Sequence, residues 1–185
     1  MNIIKNFMKY YNGLLKTNFV LVQSVQSGIL CGSGDVIAQV VAERKSLKNI
    51  DLHRTGCFLV LGSCFIGPVI TVWYRYLSKK LGDKGKFVAL KKVAADQLLF
   101  VPPFQIALIS TINTIQGRNL EFTKEQLKLK YTDILIANYK LWPAVQIVNF
   151  YLVPLNYQVL LVQCVALFWN AYVSWKTQHG IVKDN

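Results

Sequence analysis

The stretch SGILCGSGDVIAQVV, residues 27–41, decides the fold class of this chain. Between Lys16 and Glu43 the sequence carries a single charge, Asp35, in an otherwise apolar run. A helix of about 20 apolar residues spans the hydrocarbon core of a bilayer, whereas a soluble surface helix shows a polar face at regular spacing. Because an isolated carboxylate is costly in a membrane, the stretch predicts a membrane helix that turns Asp35 toward water or other helices.

Further apolar runs follow, and 53% of the 185 residues are hydrophobic. Pro154 separates the last two runs, since proline cannot donate a helical hydrogen bond. The sequence therefore predicts an all-α integral membrane helix bundle of four to five hydrophobic segments, in one transmembrane domain over 18–176. The segments are expected at about 18–42, 55–77, 93–116, 132–153 and 155–175. Whether the fifth segment spans the bilayer or lies in its interface stays open.

The two ends of the chain differ from the apolar middle. Residues 1–17 carry Lys5, Lys9 and Lys16 among apolar residues at helical spacing. This pattern predicts a basic amphipathic helix that serves as an interfacial anchor or an uncleaved organelle-targeting segment. Residues 177–185 are predicted to form a polar tail.

The net charge of +12 limits the classes of partner. Lysine and arginine lie in the connections between apolar runs, where anionic lipid headgroups are the expected partners. Direct nucleic-acid binding is not expected, because the sequence shows no aromatic-basic platform. With two histidines and no hydrolase or metalloprotease motif, no enzymatic activity, metal or cofactor is expected.

One face of the first apolar segment combines small and polar residues. They are spaced by four, four, three and four positions, as Ser24, Gly28, Gly32, Asp35 and Gln39. Residues at this spacing share one helix face. The small residues predict close packing of a neighbouring helix, and the same face would turn the two polar side chains into the bundle.

Asp35 and Asp96 each have two interpretations. As members of one polar path, they would stand near its opposite mouths and favour cations or gate by protonation. Alternatively, Asp35 pins helices together, protonated or paired with Arg54 or Lys48. Asp96 has the corresponding alternative of an ion pair with Lys92, one helical turn earlier.

Amide side chains occupy two later segments. Gln97 follows Asp96 in the third segment, and Gln146 and Asn149 share a face of the fourth. They would line the polar path beside a proline kink or form an amide clamp between helices. Further positions predicted to set helix packing are Gly67, Pro68, Pro143 and Pro154.

Several motifs together resemble a known family of small organelle membrane proteins. They are GDVIAQ at 34–39, Arg54 followed by GPVITVWYRYL at 67–77, ADQLLFVPP at 95–103, LWPAVQIVNFYLVP at 141–154 and WNAYVSW at 169–175. They resemble the proteins named for Mpv-seventeen and for the twenty-two-kilodalton peroxisomal membrane protein, and in detail the Mpv-seventeen branch. The resemblance implies a four-span protein of the mitochondrial inner membrane, with the peroxisomal membrane as the alternative.

The resemblance also implies a channel-like activity for small solutes, linked to organelle homeostasis and mitochondrial DNA maintenance. Two positions depart from the family pattern. An early family proline is replaced near Asn18, and Gln158 stands where an arginine usually follows the second V-P. Any anion-binding role of that arginine is therefore not carried over to this chain.

Two function classes follow from the residues and the resemblance. The first is a weakly selective channel for an unidentified small solute. The alternative is a structural or adaptor membrane protein, in which buried polar groups serve packing and basic loops hold lipid or a partner complex. Both leave open a homo-oligomer.

Overall fold

The computed structural model describes residues 2–83, 85 and 87–180, with the backbone alone at 2–4, 7, 8, 42 and 170–180. Every regular element in that part of the chain is helical, which confirms the all-α class. The α-helices are α1 (Asn2–Thr17), α2 (Phe19–Ile37), α3 (Leu52–Leu61), α4 (Gly67–Leu81), α5 (Val88–Ala95), α6 (Val101–Ile115), α7 (Leu120–Leu152) and α8 (Leu155–Gly180).

Three short π-helical turns continue or join these helices. They cover Ala38–Ala42 after α2, Gly62–Ile66 between α3 and α4, and Asp96–Phe100 between α5 and α6. The latter two lie directly upstream of prolines, at Pro68 and at Pro102 with its neighbour. A proline ring clashes with the carbonyl four residues earlier, and a widened π turn removes that clash while the helix continues.

In the part of the chain that the structure describes, three helical stretches are long and apolar enough to cross a bilayer: Phe19–Val41, Leu52–Leu81 and Val88–Ile115. A shorter apolar helix covers Leu155–Trp169 within α8. The predicted fourth segment at 132–153 is the second half of α7, which begins at Leu120 and runs without interruption through Pro143. Pro154 lies in the break between α7 and α8. Helix α8 continues through 177–180 of the predicted polar tail, and 181–185 lie outside the described residues.

The burial pattern is the reverse of that of a soluble protein. Fully buried positions include glutamine, asparagine, serine and threonine: Gln23, Ser27, Gln39, Thr71 and Asn149. Large apolar side chains are exposed along the same helices, among them Leu21, Ile29, Val60, Val72, Leu98 and Leu99. Such helices present hydrocarbon to lipid and turn polar groups toward each other. The chain is therefore an integral membrane helix bundle.

The chain forms two compact units. Unit 1 comprises residues 1–75 and 155–185, so that α8 packs beside α2 although they are far apart in sequence. Unit 2 comprises residues 76–154, in which α5, α6 and the intervening π turn pack with α7.

Glycines bring α2 into close contact with the helix formed by α3, its π turn and α4. A Cβ added at Gly28 would stand 2.8 Å from the Leu59 carbonyl oxygen and would overlap Ser63 Oγ. One added at Gly62 would stand 2.6 Å from the Ser27 carbonyl oxygen. At Gly67 the same test meets Ser24 Cα at 2.8 Å. Backbones this close leave no room for side chains, as expected at small-residue interfaces in membranes.

The remaining small-residue position is less tightly packed. A Cβ at Gly32 would meet Leu59 Cβ at 3.5 Å, which is ordinary van der Waals contact. Ser24 is buried at this interface, and Pro68 follows Gly67 in the first turn of α4. The distance between the two helices therefore decreases from Gly32 toward Gly28.

Candidate functional site

The first candidate site is a polar cluster where α2 ends and α3 begins, here called the Asp35 cluster. Asp35, Gln39 and Glu43 recur every four residues, which places them on one side of α2 and its π turn. Asp51 caps α3 by accepting a hydrogen bond from the Arg54 backbone N–H at 2.9 Å. The cluster comprises Asp35, Gln39, Glu43, Lys45, Asp51, Arg54 and Thr55.

The Asp35 carboxylate is bound by three donors. Arg54 Nε donates to Oδ1 at 2.6 Å, while Thr55 Oγ1 and Gln39 Nε2 donate to Oδ2 at 2.7 and 2.8 Å. The Asp35 side chain is 2% exposed and that of Arg54 is 32% exposed. The carboxylate therefore has both a counter-charge and neutral donors, which makes its burial tolerable.

Gln39 closes the connection between α2 and α3. Its Oε1 accepts from the Asp51 backbone N–H at 2.8 Å, and its Nε2 donates to the Asp51 carbonyl at 3.2 Å. An amide side chain thus pairs with both backbone groups of one residue. This double contact fixes the start of α3 against the end of α2.

Glu43 extends the cluster toward solvent. It pairs with Arg54 Nη1 at 2.7 Å and with Lys45 Nζ at 2.9 Å. Desolvation acts to raise the pKa of Glu43, but hydrogen bonds from Lys45 and Arg54 outweigh it and hold that pKa below its ordinary value. The hydrogen bond from the Arg54 backbone likewise lowers the pKa of Asp51.

The sequence left Arg54 and Lys48 as possible partners of Asp35. The structure pairs Asp35 with Arg54, whereas Lys48 is exposed. In this geometry Asp35 and Gln39 join two helices. The partners Thr55, Asp51 and Glu43 were missed by sequence reasoning. The spacing of Glu43 from Gln39 was the available signal.

The second candidate site lies in unit 2 and is here called the Asp96 cluster. Asp96 Oδ2 accepts from Gln97 Nε2 at 2.8 Å and from Gln146 Nε2 at 2.9 Å. Gln146 Oε1 in turn accepts from Asn149 Nδ2 at 2.9 Å. The π turn therefore places the Asp96 carboxylate in contact with Gln146 on α7, and Gln146 in turn contacts Asn149.

The cluster continues along the same helices. Asn138 donates to Gln97 Oε1 at 3.4 Å and accepts from Gln105 Nε2 at 3.2 Å. Tyr139 donates its hydroxyl to the Gln97 backbone carbonyl at 3.0 Å. The Asp96 cluster thus comprises Asp96, Gln97, Gln105, Asn138, Gln146 and Asn149. It unites four of the residues singled out in the sequence and adds Gln105 and Asn138, which sequence reasoning missed.

Asn149 is fully buried, and its Oδ1 has no hydrogen-bond partner among the groups that the structure describes. A buried amide oxygen without a donor costs about 1–3 kcal/mol. Such an atom is a position where water or a solute hydroxyl, amine or cation would gain a contact.

Lys92 lies near this cluster in sequence but has a different acid partner. Its ammonium donates to Asp83 Oδ1 at 2.7 Å and lies 5.9 Å from the centre of the Phe150 ring. The Lys92 side chain is 2% exposed, and that of Asp83 is 57% exposed. Hydrogen bonds from Lys92 and Ser78 lower the pKa of Asp83. The lysine that the sequence offered to Asp96 thus reaches back to the preceding turn.

A further polar contact in unit 1 was not predicted. Gln23 Nε2 donates to the Asn156 backbone carbonyl at 2.7 Å, and Gln163 Nε2 donates to Ser27 Oγ at 3.2 Å. Both bonds join α2 to α8. Amides within apolar runs were the signal in the sequence, but the pairing of two runs more than a hundred residues apart has no local signature.

The chemistry of these clusters is that of binding and packing. In the described part of the chain, no group of three or more His, Cys, Asp or Glu side chains is placed to hold a metal ion. The two clusters offer carboxylates, amides and hydroxyls, which bind small polar solutes, cations and each other.

Comparison with known proteins relates the chain to one family. The model of the Mpv17 / PMP22 family matches residues 113–174. The chain is 44% identical to mitochondrial inner membrane protein Mpv17 of Xenopus laevis, over 90% of this chain and 94% of that protein. It is 43% identical to the Homo sapiens protein of the same name, over 84% of this chain and 88% of that protein.

A fungal relative extends the comparison. Protein sym-1 of Neurospora crassa is 39% identical over 91% of this chain and 97% of that protein. No solved structure matched the chain. The match to full-length relatives and the apolar helices together confirm the family and the localisation expected from the sequence. The chain belongs to the Mpv17 / PMP22 family and is a multi-span protein of the mitochondrial inner membrane.

Proposed function

We propose that this protein forms a weakly selective channel for small solutes, with the Asp96 cluster as its polar path. The supporting observation is that five of the six side chains of the Asp96 cluster are buried: Asp96, Gln97, Asn138, Gln146 and Asn149. The same helices expose Leu98, Leu99, Ile147 and Val148. Polar and ionisable groups inside membrane helices mark solute and ion pathways.

The composition of the cluster sets the class of solute. Amides donate and accept hydrogen bonds without selecting a charge, while one carboxylate favours cations over anions. In this proposal, the conformation in which these side chains bond to one another is the closed state. Opening would exchange the contacts of Gln146 with Asp96 and Asn149 for contacts with water and solute. The exchange is nearly balanced because both sets are hydrogen bonds.

Asp35 and Gln39 have another role in this proposal. Three donors, one of them the Arg54 guanidinium, bind the carboxylate. Moving the carboxylate, which is 2% exposed, away from those donors would leave it without its counter-charge. We assign the Asp35 cluster to fastening α2 to α3.

The test is the ion selectivity of the purified protein in planar bilayers. Wild type is expected to conduct with a modest preference for cations, and Asp96→Lys is expected to weaken or reverse it. Asp133→Lys serves as the matched control, because it makes the same change of charge at an exposed acid on α7 outside the cluster. Conductance with selectivity equal in all three proteins would remove Asp96 from the path.

A structural or adaptor role is the second candidate. The dense pairing of the Asp35 cluster favours it, because such networks fix helix positions rather than line a route. Under this alternative the protein does not conduct, and Asp96→Asn lowers stability with no change in liposome flux. The two functions are therefore separated by the presence of flux in wild type.

The family resemblance carries one further part of the proposal, support of mitochondrial homeostasis and mitochondrial DNA maintenance. In cells that lack the protein, we expect mitochondrial DNA copy number to fall and wild type to restore it. If flux is the cause, Asp96→Lys restores the copy number less well than the charge-matched Asp133→Lys. Equal rescue by both variants would separate DNA maintenance from the path.

A further inference from the structure

The turn between α4 and α5 concentrates positive charge at a membrane boundary. The apolar stretches Leu52–Leu81 and Val88–Ile115 end and begin on either side of it. Lys79 and Lys80 are exposed in the last turn of α4, and Lys91 is exposed in the first turns of α5. These three lysines are here called the α4–α5 lysine patch. Basic residues at the ends of membrane-spanning helices typically lie at the level of the lipid headgroups.

The patch keeps its charge because its acid is already neutralised. Asp83 is the single acid in the sequence between Ser78 and Ala95. Its carboxylate accepts from Lys92 Nζ at 2.7 Å and from Ser78 Oγ at 2.6 Å. Since Lys92 is buried, it satisfies Asp83 without itself presenting charge to the outside. Although Asp83 is 57% exposed, its carboxylate is already paired, so this turn offers the exposed lysines no unpaired acid.

Apolar side chains beside the lysines suit a lipid rather than a soluble anion. Phe87 and Leu90 are 57% and 52% exposed at the start of α5. Exposed aromatic and aliphatic groups next to lysine are typical of segments that lie at the boundary of headgroups and acyl chains.

A second group of exposed lysines, on α7, differs from the α4–α5 lysine patch because exposed acids lie among them. On α7, Lys124, Lys128 and Lys130 are exposed, but so are the acids Glu121, Glu125 and Asp133. Charges of both signs alternate there, and the net charge of these six residues is zero. The α4–α5 turn lacks such compensation.

We infer that the α4–α5 lysine patch is a binding site for a phosphate-rich anionic lipid headgroup, with Phe87 and Leu90 against its acyl chains. A headgroup with two phosphates, as in cardiolipin, fits several lysines around one turn, and basic pockets at membrane helix ends bind such headgroups. The site is separate from the Asp96 cluster, so it does not depend on the proposed channel.

The test measures cardiolipin binding to the purified full-length protein in detergent, by native mass spectrometry and by the shift in melting temperature. Phosphatidylcholine is the neutral comparison, and inorganic pyrophosphate is the soluble one. The variant Lys79→Gln/Lys80→Gln/Lys91→Gln is expected to bind cardiolipin roughly 100-fold more weakly, from about fivefold per lysine near an anionic surface.

The matched control is Lys124→Gln/Lys128→Gln/Lys130→Gln, which removes the same charge and is expected to bind like wild type. A third variant with arginine at 79, 80 and 91 is expected to retain binding, and it remains informative if the glutamine variant does not fold. Equal loss in both glutamine variants would overturn the site and leave a net-charge effect. Pyrophosphate binding as tight as that of cardiolipin would also overturn it, in favour of a soluble anion.

Discussion

The ion pair between Asp35 and Arg54 makes a prediction about the sign of a mutational coupling. Arg54→Met removes the guanidinium and leaves a carboxylate that is 2% exposed with only the neutral donors Thr55 and Gln39. Breaking a buried pair from one side costs about 3–5 kcal/mol, so we expect a loss of about 3 kcal/mol in the free energy of unfolding.

The reverse change is milder. Asp35→Asn leaves a guanidinium that is 32% exposed and still paired with Glu43 at 2.7 Å. Solvent and that second acid compensate part of the loss, and we expect a cost of about 2 kcal/mol, that of a hydrogen bond to a charged group. The double variant has no isolated charge. It is therefore expected to be more stable than Arg54→Met alone, by about 1 kcal/mol.

The assay is unfolding of the detergent-solubilised protein in a denaturing detergent, followed by the fluorescence of its four tryptophans. Lys48→Met is the control, because this exposed lysine was the other candidate partner of Asp35. Its expected effect is within about 0.5 kcal/mol. A double variant whose loss equals or exceeds the sum of the two single losses would refute the buried pair.

Three further predictions concern packing, pH and the Asp96 cluster. Gly28→Ala is expected to cost about 1–3 kcal/mol by overpacking the helix crossing, whereas Gly56→Ala, with nothing within 4 Å of the new Cβ, leaves stability unchanged or raised in the same unfolding assay. Asp83→Asn is expected to destabilise the protein at neutral pH, because it leaves the buried Lys92 ammonium without its carboxylate. Gln146→Leu is expected to cost about 1–3 kcal/mol, since it removes a donor from a buried carboxylate.

The pH dependence of the Asp83 variant has a definite sign. The folded pKa of Asp83 is lowered, so its contribution is fully present above the unfolded pKa and is lost as pH falls through the folded pKa. The stability difference between wild type and Asp83→Asn should therefore shrink in acid and stay constant near neutrality. A difference that grows in acid would contradict the pairing of Asp83 with Lys92. Equal stability of Gly28→Ala and Gly56→Ala would contradict the close packing at the helix crossing.

Local sequence patterns were sufficient to predict the helices and, in each contact between helices, one of the two partners. The spacing of Ser24, Gly28 and Asp35 predicted a face with small and polar groups, because helical periodicity depends on neighbours only. The choice of Arg54 over Lys48 required knowing how α3 starts against α2. That depends on the Gln39 contact with Asp51, which no local pattern encodes.

The Asp96 cluster shows the same limit. Gln146 and Asn149 were recognisable as buried amides, but their partner depends on a π turn that adds a residue and rotates Asp96 toward α7. The prolines that follow this turn were visible in the sequence. Their consequence for helix geometry was not, since a proline can kink a helix or be accommodated by a wider turn.

The discontinuity of unit 1 has a consequence for how the protein is made. Gln23 and Ser27 on α2 find their partners on α8, which is synthesised after α3 to α7. Until α8 arrives, the membrane must hold these side chains without their final hydrogen bonds. Premature stop codons before Leu155 should therefore leave an assembly intermediate with a hydrophilic flank, a substrate for quality-control proteases of the organelle rather than a shortened but working protein.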